Sequence, residues 1–176
     1  MMLKAVVKGL ERRFPNHNGP FEYGTRLAEE TGELIEAIYE VKDGVMNEPQ
    51  KEHLVKELQD VLRVAYGIVG LYDLTKKLPL TLAEITTNKL NPRDPIDYIV
   101  QIGVGAGELA SAVNHVEGMG VKNEKHGDQA LDHVLEKANN LVQVVVWVVR
   151  FFDCQDALDN QIIESYDDYK VKGFIR

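Results

Sequence analysis

The sequence contains a single cysteine, Cys154, among 176 residues, and it lacks a long apolar run. One thiol cannot form an internal disulfide, which fits a reducing cytoplasm, and with no base at a suitable spacing Cys154 is expected to be packed rather than nucleophilic. The most apolar stretch, 141–152, is about twelve residues long, whereas a membrane span needs roughly twenty. The N-terminus also lacks the apolar core of a signal peptide. We therefore predict a cytoplasmic protein with no membrane partner.

Positive charge is scarce as well. The chain has 20 Lys and Arg residues against 28 Asp and Glu residues, a formal net charge of −8, which argues against non-specific nucleic-acid binding. An acidic protein can still bind a phosphorylated ligand if a divalent cation accompanies that ligand. The content of 44% hydrophobic and 27% charged residues is that of an ordinary globular chain, long enough for one well-buried core.

Apolar residues recur at helical spacing through most of the chain. This periodicity predicts a short first helix ending near Phe14, long helices over 21–43 and 53–73, and a shorter helix over 80–89. The polar tail from Tyr166 onward shows no such pattern, and we expect it to fray or to fold over the surface.

The pattern of the first half restarts in the second half. Segments 20–23 and 32–34 are echoed 75 residues later, at 95–98 and 107–109, and beyond a longer loop the offset becomes 80. Such self-similarity indicates an internal duplication of a helical hairpin. We predict an all-α bundle of two repeats, 1–93 and 94–176, packed against each other as one compact domain.

The repeat also decides an ambiguous segment. The β-branched residues of 144–149 alone favour a strand. In the repeat register this segment matches 64–69, which lies within a helical pattern. We therefore predict a buried helix there.

Two acids on the first long helix are placed where apolar residues are expected. At about 100° per residue, Glu30 lies about 40° from Leu34 and therefore inside the apolar stripe, and Glu33 lies about 100° from Leu34, at the edge of the stripe. A carboxylate among core residues is costly unless it is paired or coordinated. The stripe itself is formed by Leu27, Leu34, Ile38 and Val41.

The second long helix repeats this arrangement around Val61, with Glu57 inside the stripe and Asp60 at its edge. If the two helices pair antiparallel, four carboxylates meet, and a hard cation such as Mg²⁺ or Mn²⁺ relieves their repulsion. A single Glu-x-x-Glu pair usually marks only a solvated face, but two pairs with buried first acids favour a metal site. A di-iron bundle needs Glu-x-x-His, which is absent. The histidines show no ligand spacing and are expected at the surface or in helix caps: His17, His53, His115, His126 and His133.

The acid spacing over about residues 1–93 resembles the all-α nucleoside triphosphate pyrophosphohydrolases, which include MazG, the phosphoribosyl-ATP pyrophosphohydrolases and the dimeric dUTPases. The segments 57–67 and 88–90 are similar to the phosphoribosyl-ATP branch. The resemblance implies that the magnesium ligands are Glu30, Glu33, Glu57 and Asp60, and that one of them, Glu33 or else Glu30, orients or deprotonates the attacking water.

The same resemblance places Asn88 and Lys89 near the nucleotide. For Lys89, contact with a phosphate and an ordinary solvated position are equally compatible with the sequence. No residue is recognisable as a base-selecting group.

The second half departs from the acid pattern. In register, Gly105, Lys137 and Asn140 replace three of the acids, and only Glu33 keeps a counterpart, Glu108. We expect no cation there. Lys137 is expected to pair with Glu108, with contact to a substrate phosphate as the alternative. Because the family's enzymes commonly work as dimers, the chain resembles a fused pseudo-dimer with one competent half, and further association of such units is left open.

Two functions follow as hypotheses. The first is Mg²⁺-dependent hydrolysis of a nucleoside triphosphate to the monophosphate and pyrophosphate. The second is a catalytically silent module that binds nucleotide or metal or serves as a helical scaffold, which the loss of acids in the second half motivates.

Overall fold

The computed structural model describes residues 2–78, 94–119 and 129–175, and these residues form six α-helices and one short 3₁₀ helix, with no strand among them. The helical prediction for 144–149 is confirmed, and the helix predicted over 80–89 lies outside the described residues. No helix in these ranges is both long and apolar enough to cross a bilayer. The helices are α1 Met2–Arg13, α2 Pro20–Glu40, α3 Glu48–Leu71, α4 Pro95–Val116, α5 Ala130–Phe151 and α6 Gln155–Val171; the 3₁₀ helix is Thr75–Lys77.

Two of the long helices, α3 and α4, begin at side-chain caps that periodicity does not reveal. At the start of α3, the Asn47 side chain accepts a hydrogen bond from the Gln50 N–H at 2.9 Å, and the Gln50 side chain accepts one from the Asn47 N–H at 3.0 Å. This reciprocal capping box satisfies two backbone donors. It starts α3 several residues earlier than the predicted position 53. Asp94 caps α4 similarly, accepting from the Asp97 N–H at 2.9 Å.

The bundle consists of two helical hairpins, and the first helix of one packs against the first helix of the other, as the second helices do. Helix α2 packs against α3 and α4 against α5, while α2 also contacts α4 and α3 contacts α5. Helices α1 and α6 contact each other, and both contact α3. The predicted stripe on α3 was therefore too narrow: because four helices surround α3, every residue from Glu57 to Leu62 is buried.

Both hairpins end in the same backbone motif. Asp73 and Asp153 have φ angles of 56° and 51°, in the left-handed region that non-glycine residues rarely adopt. The following residue in each case bonds back to a carbonyl five residues earlier, Leu74 N–H to Val69 O at 3.0 Å and Cys154 N–H to Val149 O at 2.9 Å. This recurrence supports the duplication, which we retain as a proposal.

Of the two alternatives predicted for the tail, fraying is wrong, and the chain end instead folds against α1. Residues 166–171 continue α6, and Tyr169 and Ile175 are buried with Val6 of α1. The Arg12 guanidinium donates to the Phe174 carbonyl at 2.8 Å, which ties the chain end to α1. The sequence signal was weak because the buried side chains of α6 are few and widely spaced.

The remaining predictions on single residues have mixed outcomes. Cys154 is buried as expected, and its burial raises the pKa of the thiol. His115 is also buried, so its predicted surface position is wrong, and His126 lies outside the described residues. His17 is exposed, as predicted.

Gly67 sets the distance between α2 and α3. A methyl group at this position would overlap the Tyr23 ring, whose hydroxyl donates to Glu11 at 3.0 Å. We expect Gly67→Ala to destabilise the protein by about 1–3 kcal/mol because a well-packed contact has to open. Urea unfolding measures the change. The matched control is Gly24→Ala on α2, where the added methyl meets open space and should stabilise the helix by about 0.5–1 kcal/mol. Equal stability of the two variants would contradict the close approach.

Candidate metal centre

Three of the four predicted acids meet between α2 and α3. The contact of Tyr23 with Gly67 fixes the antiparallel register of the two helices. The acids lie about two to three turns from this contact, after Tyr23 on α2 and before Gly67 on α3. Carboxylate oxygens of Glu30, Glu33 and Glu57 lie within 4.8 Å of one another. It is the only such group of potential metal ligands found in the described part of the chain.

The acids differ in burial and in their partners. Glu57 is 1% exposed and Asp60 is 5% exposed, whereas Glu30 and Glu33 are half-buried at the rim. Asp60 is not part of this triplet. Its carboxylate forms ion pairs with Arg63 and Lys56. The deepest ligand candidate is therefore Glu57.

Crowding of the carboxylates shifts their protonation. Burial, followed by the charge of Asp60, raises the pKa of Glu30 from 4.5 to about 7, and the opposing Arg63 lowers this only in part. Burial raises the pKa of Glu57 as well; the nearby Lys56 opposes this shift, and Glu33 adds to it. The cluster therefore holds protons at pH values at which isolated carboxylates have lost them, unless a cation replaces those protons.

Lys56 is the residue that the sequence reasoning missed. Its Nζ lies 2.6 Å from Glu57 Oε1, 3.4 Å from Asp60 Oδ2 and 3.7 Å from Glu33 Oε2. Burial opposes its charge, but hydrogen bonds and attraction to Glu57 and Asp60 outweigh that effect and raise the pKa of Lys56. Its position immediately before Glu57 and one turn before Asp60 was the available signal.

His53 lies closer to the centre than a plain surface residue. Its Nε2 is 3.5 Å from Glu57 Oε1, and its Nδ1 is 3.4 Å from Glu40 Oε2. The ring therefore links the buried acid to an exposed acid at the end of α2. The spacing of His53 four residues before Glu57 places both on one helix face, a relation that a search for metal-ligand motifs does not detect.

The donor set fits a hard divalent cation. The cluster offers only carboxylate oxygens, which Mg²⁺ and Mn²⁺ prefer over the nitrogen and sulfur ligands of softer metals. In addition, Glu57 Oε2 is buried and has no hydrogen-bond partner among the described residues. A buried acceptor without a partner is costly, and coordination to a cation would remove that cost. Glu30, Glu33 and Glu57 could thus hold a metal ion.

The second hairpin carries an ion pair at the position that the predicted repeat register aligns with the acids. Lys137 Nζ lies 3.2 Å from Glu108 Oε2 and 3.4 Å from Glu136 Oε1, which confirms the predicted pairing of Lys137 with Glu108. Contact of Lys137 with a substrate phosphate stays a prediction. Asn88 and Lys89 lie outside the described residues.

The raised pKa of Glu30 predicts a pH-dependent stability of the metal-free protein. Because the folded-state pKa is about 7 and the ordinary value is 4.5, the stability from this group is present below pH 4.5 and is lost as the pH rises through 7. We expect Glu30→Gln to exceed the parent in unfolding free energy at pH 8 by on the order of 1 kcal/mol, after discounting for partial exposure. Urea unfolding in chelator across this range tests it. A difference that does not change with pH would contradict the assignment.

Comparison with known proteins adds one finding. Residues 19–96 match a family model described as the MazG nucleotide pyrophosphohydrolase domain. Neither the curated proteins nor the solved structures give a match. The matched segment includes α2, α3 and all four predicted acids. The match supports a hydrolase acting on nucleotide pyrophosphate bonds, and it implies a nucleotide substrate.

Proposed function

We propose that the protein, whose residues 19–96 match the model of the MazG nucleotide pyrophosphohydrolase domain, hydrolyses a nucleoside triphosphate to the monophosphate and pyrophosphate with Mg²⁺. The observation that carries the proposal is the cluster of Glu30, Glu33 and Glu57, in which a buried oxygen of Glu57 has no partner among the described residues. Three crowded carboxylates with an unpartnered buried oxygen are stabilised by a cation, whereas solvent cannot reach that oxygen.

In the proposed reaction, Mg²⁺, or Mn²⁺ in its place, would neutralise the triphosphate and activate a water for attack at the α-phosphorus. Glu57, Glu30 and Glu33 would hold the cation, with Asp60 beside them. Glu33 accepts the proton of the attacking water, because it is a half-buried acid at the rim rather than a buried one. Glu30 is the alternative base. No covalent intermediate is required.

Lys56 has two parts in this proposal. Without a cation, its ammonium compensates the charge of Glu57, Asp60 and Glu33. Since its side chain is 53% exposed, it can turn outward and meet the triphosphate when a cation takes its place. By family resemblance, Asn88 and Lys89 contact the same nucleotide.

The experiment is a metal-dependent screen of the purified full chain. Each canonical and modified (d)NTP is incubated with Mg²⁺ or Mn²⁺, and pyrophosphate is measured separately from phosphate. We expect monophosphate and pyrophosphate in equal amounts from at least one nucleotide, and none in chelator. Glu33→Gln and Asp60→Asn should abolish turnover, while Glu36→Gln on the exposed face of α2 should not. Absence of pyrophosphate with every nucleotide would overturn the proposal, and so would full activity of Glu33→Gln and Asp60→Asn.

A second function is favoured by one observation, the position of Lys56 inside the acidic cluster. An internal ammonium stabilises the acids without metal, so the bundle could bind nucleotide without turning it over. Calorimetry that shows nucleotide binding without product would favour this silent module.

We also propose that residues 1–93 and 94–176 are two repeats that form a pseudo-dimer within one chain. We propose a cytoplasmic location for the protein.

A further inference from the structure

The second hairpin contains a cavity at the level where the first hairpin carries its acids. The cavity has a volume of about 230 Å³ and lies between α4 and α5. It is lined in part by Gly105, Glu108 and Asn140, which are the repeat counterparts of Glu30, Glu33 and Asp60. The family match ends at residue 96, so the cavity lies outside the matched segment.

The charge of this cavity differs from that of the acidic cluster. Gly105 and Asn140 are neutral, and the one acid of the lining, Glu108, is paired with Lys137 at 3.2 Å. This lining offers a divalent cation only one carboxylate, which Lys137 already neutralises, whereas the acidic cluster offers three. A triphosphate without its cation would find no unpaired positive group in the lining. The site therefore suits a neutral ligand.

Amide groups and an indole supply the chemistry of the lining. Gln101, Asn140 and Gln143 carry both donors and acceptors, and Trp147 presents an aromatic side chain beside them. The Trp147 side chain is only 7% exposed, and its Nε1–H is buried without an acceptor among the described residues. Because this N–H is closed to solvent, Trp147 contributes aromatic surface and not a hydrogen bond to the lining.

We propose that this cavity binds the heterocyclic base of a nucleoside without a metal. A base is planar and neutral, it has carbonyl and amino groups for the amides, and it gains from contact with an indole. The volume of about 230 Å³ is that of roughly eight waters, enough for a one- or two-ring heterocycle but not for a whole triphosphate. The inference rests on the cavity alone and does not require the hydrolase activity.

The test uses the fact that Trp147 is the only tryptophan of the chain. Adenosine, guanosine, cytidine, uridine and thymidine are titrated into the full chain in chelator while tryptophan emission is recorded. We expect a saturable change with at least one nucleoside, and weaker binding of the corresponding triphosphate under the same conditions. No saturable change with any of the five, or stronger binding of the triphosphate, would overturn the proposal.

Variants separate this site from the acidic cluster. Asn140→Leu and Gln101→Leu should each weaken nucleoside binding about tenfold, the effect of one lost amide contact. Gln101 is exposed, so its variant should fold even if the first does not. Glu57→Gln should leave nucleoside binding unchanged. Retained affinity in both cavity variants, or its loss in Glu57→Gln, would contradict the location, whereas failure of hydrolysis alone would not.

Discussion

Glu57→Gln should lower kcat/KM for nucleoside triphosphate hydrolysis by roughly a thousandfold, equivalent to about 4 kcal/mol of transition-state stabilisation. Glu57 is the most deeply buried acid of the cluster, and its second oxygen has no partner among the described residues. Glutamine keeps the size of the side chain but removes its charge and replaces one ligand oxygen by an NH₂ group. Lys56 then also loses its closest carboxylate.

The measurement is pyrophosphate release at saturating and limiting Mg²⁺, together with calorimetry of Mg²⁺ binding. Lost affinity for metal should account for most of the effect, so high Mg²⁺ should restore part of the activity. The matched control is Glu136→Gln on α5, an exposed acid whose partner is Lys137. A Glu57→Gln enzyme with parental activity would show that the cluster is not the catalytic centre.

The acids could be located from sequence because helix geometry fixes the angle between residues. Glu30 and Glu57 were recognisable as misplaced charges without any knowledge of the tertiary fold, and the structure places their carboxylates together. The pairing of Lys137 with Glu108 was predictable for the same reason, once the repeat register was known. Each of these predictions depends on local spacing and one antiparallel pairing.

What could not be predicted depends on helices that are distant in sequence. The burial of α3 on all sides follows from its contacts with α1, α5 and α6 as well as α2. The ordered chain end depends on packing of Tyr169 against α1, about 160 residues away, which no periodicity within α6 encodes. Lys56 was missed for a different reason, because the search was for ligands of a cation and not for a side chain that substitutes for one.

If residues 94–176 repeat residues 1–93, as proposed, the second hairpin is an example of the same packing without the acidic cluster. In the proposed repeat register, Gly105 and Asn140 stand opposite two of the acids, and the ion pair of Lys137 with Glu108 stands opposite Glu57 and Glu33, while α4 still packs against α5. An ion pair of this kind avoids the repulsion between carboxylates, so stability alone does not require an acidic cluster. Retention of a crowded acidic cluster in the first hairpin, with the pKa of Glu30 raised to about 7, therefore indicates a functional demand.

Lys56→Met should tighten the binding of Mg²⁺ or Mn²⁺ to the nucleotide-free protein by roughly 10–100-fold, or about 1.4–2.7 kcal/mol. The Lys56 ammonium lies within 4 Å of three carboxylates and so opposes a divalent cation at the same place. Methionine keeps much of the length of the side chain and removes only this competition. The same change favours protonation of Glu57, because Lys56 lowers its pKa, so calorimetry at pH 8.5 should show the larger gain and pH 6 the smaller.

The matched control is Lys51→Met, on the same helix but beside a different groove that includes Arg13 and Glu164. It should leave metal affinity within about twofold, since Lys51 forms no ion pair with the cluster in the described part of the chain and salt screens charges at a distance. If Lys56 also meets the triphosphate, Lys56→Met should raise KM for the nucleotide while it tightens the metal. Weaker metal binding in Lys56→Met would contradict the competition and would mean that the ammonium orders the carboxylates for the cation. If Lys56→Met binds the metal more tightly and the nucleotide more weakly, Lys56 is the side chain that leaves the carboxylates and contacts the triphosphate when the cation binds.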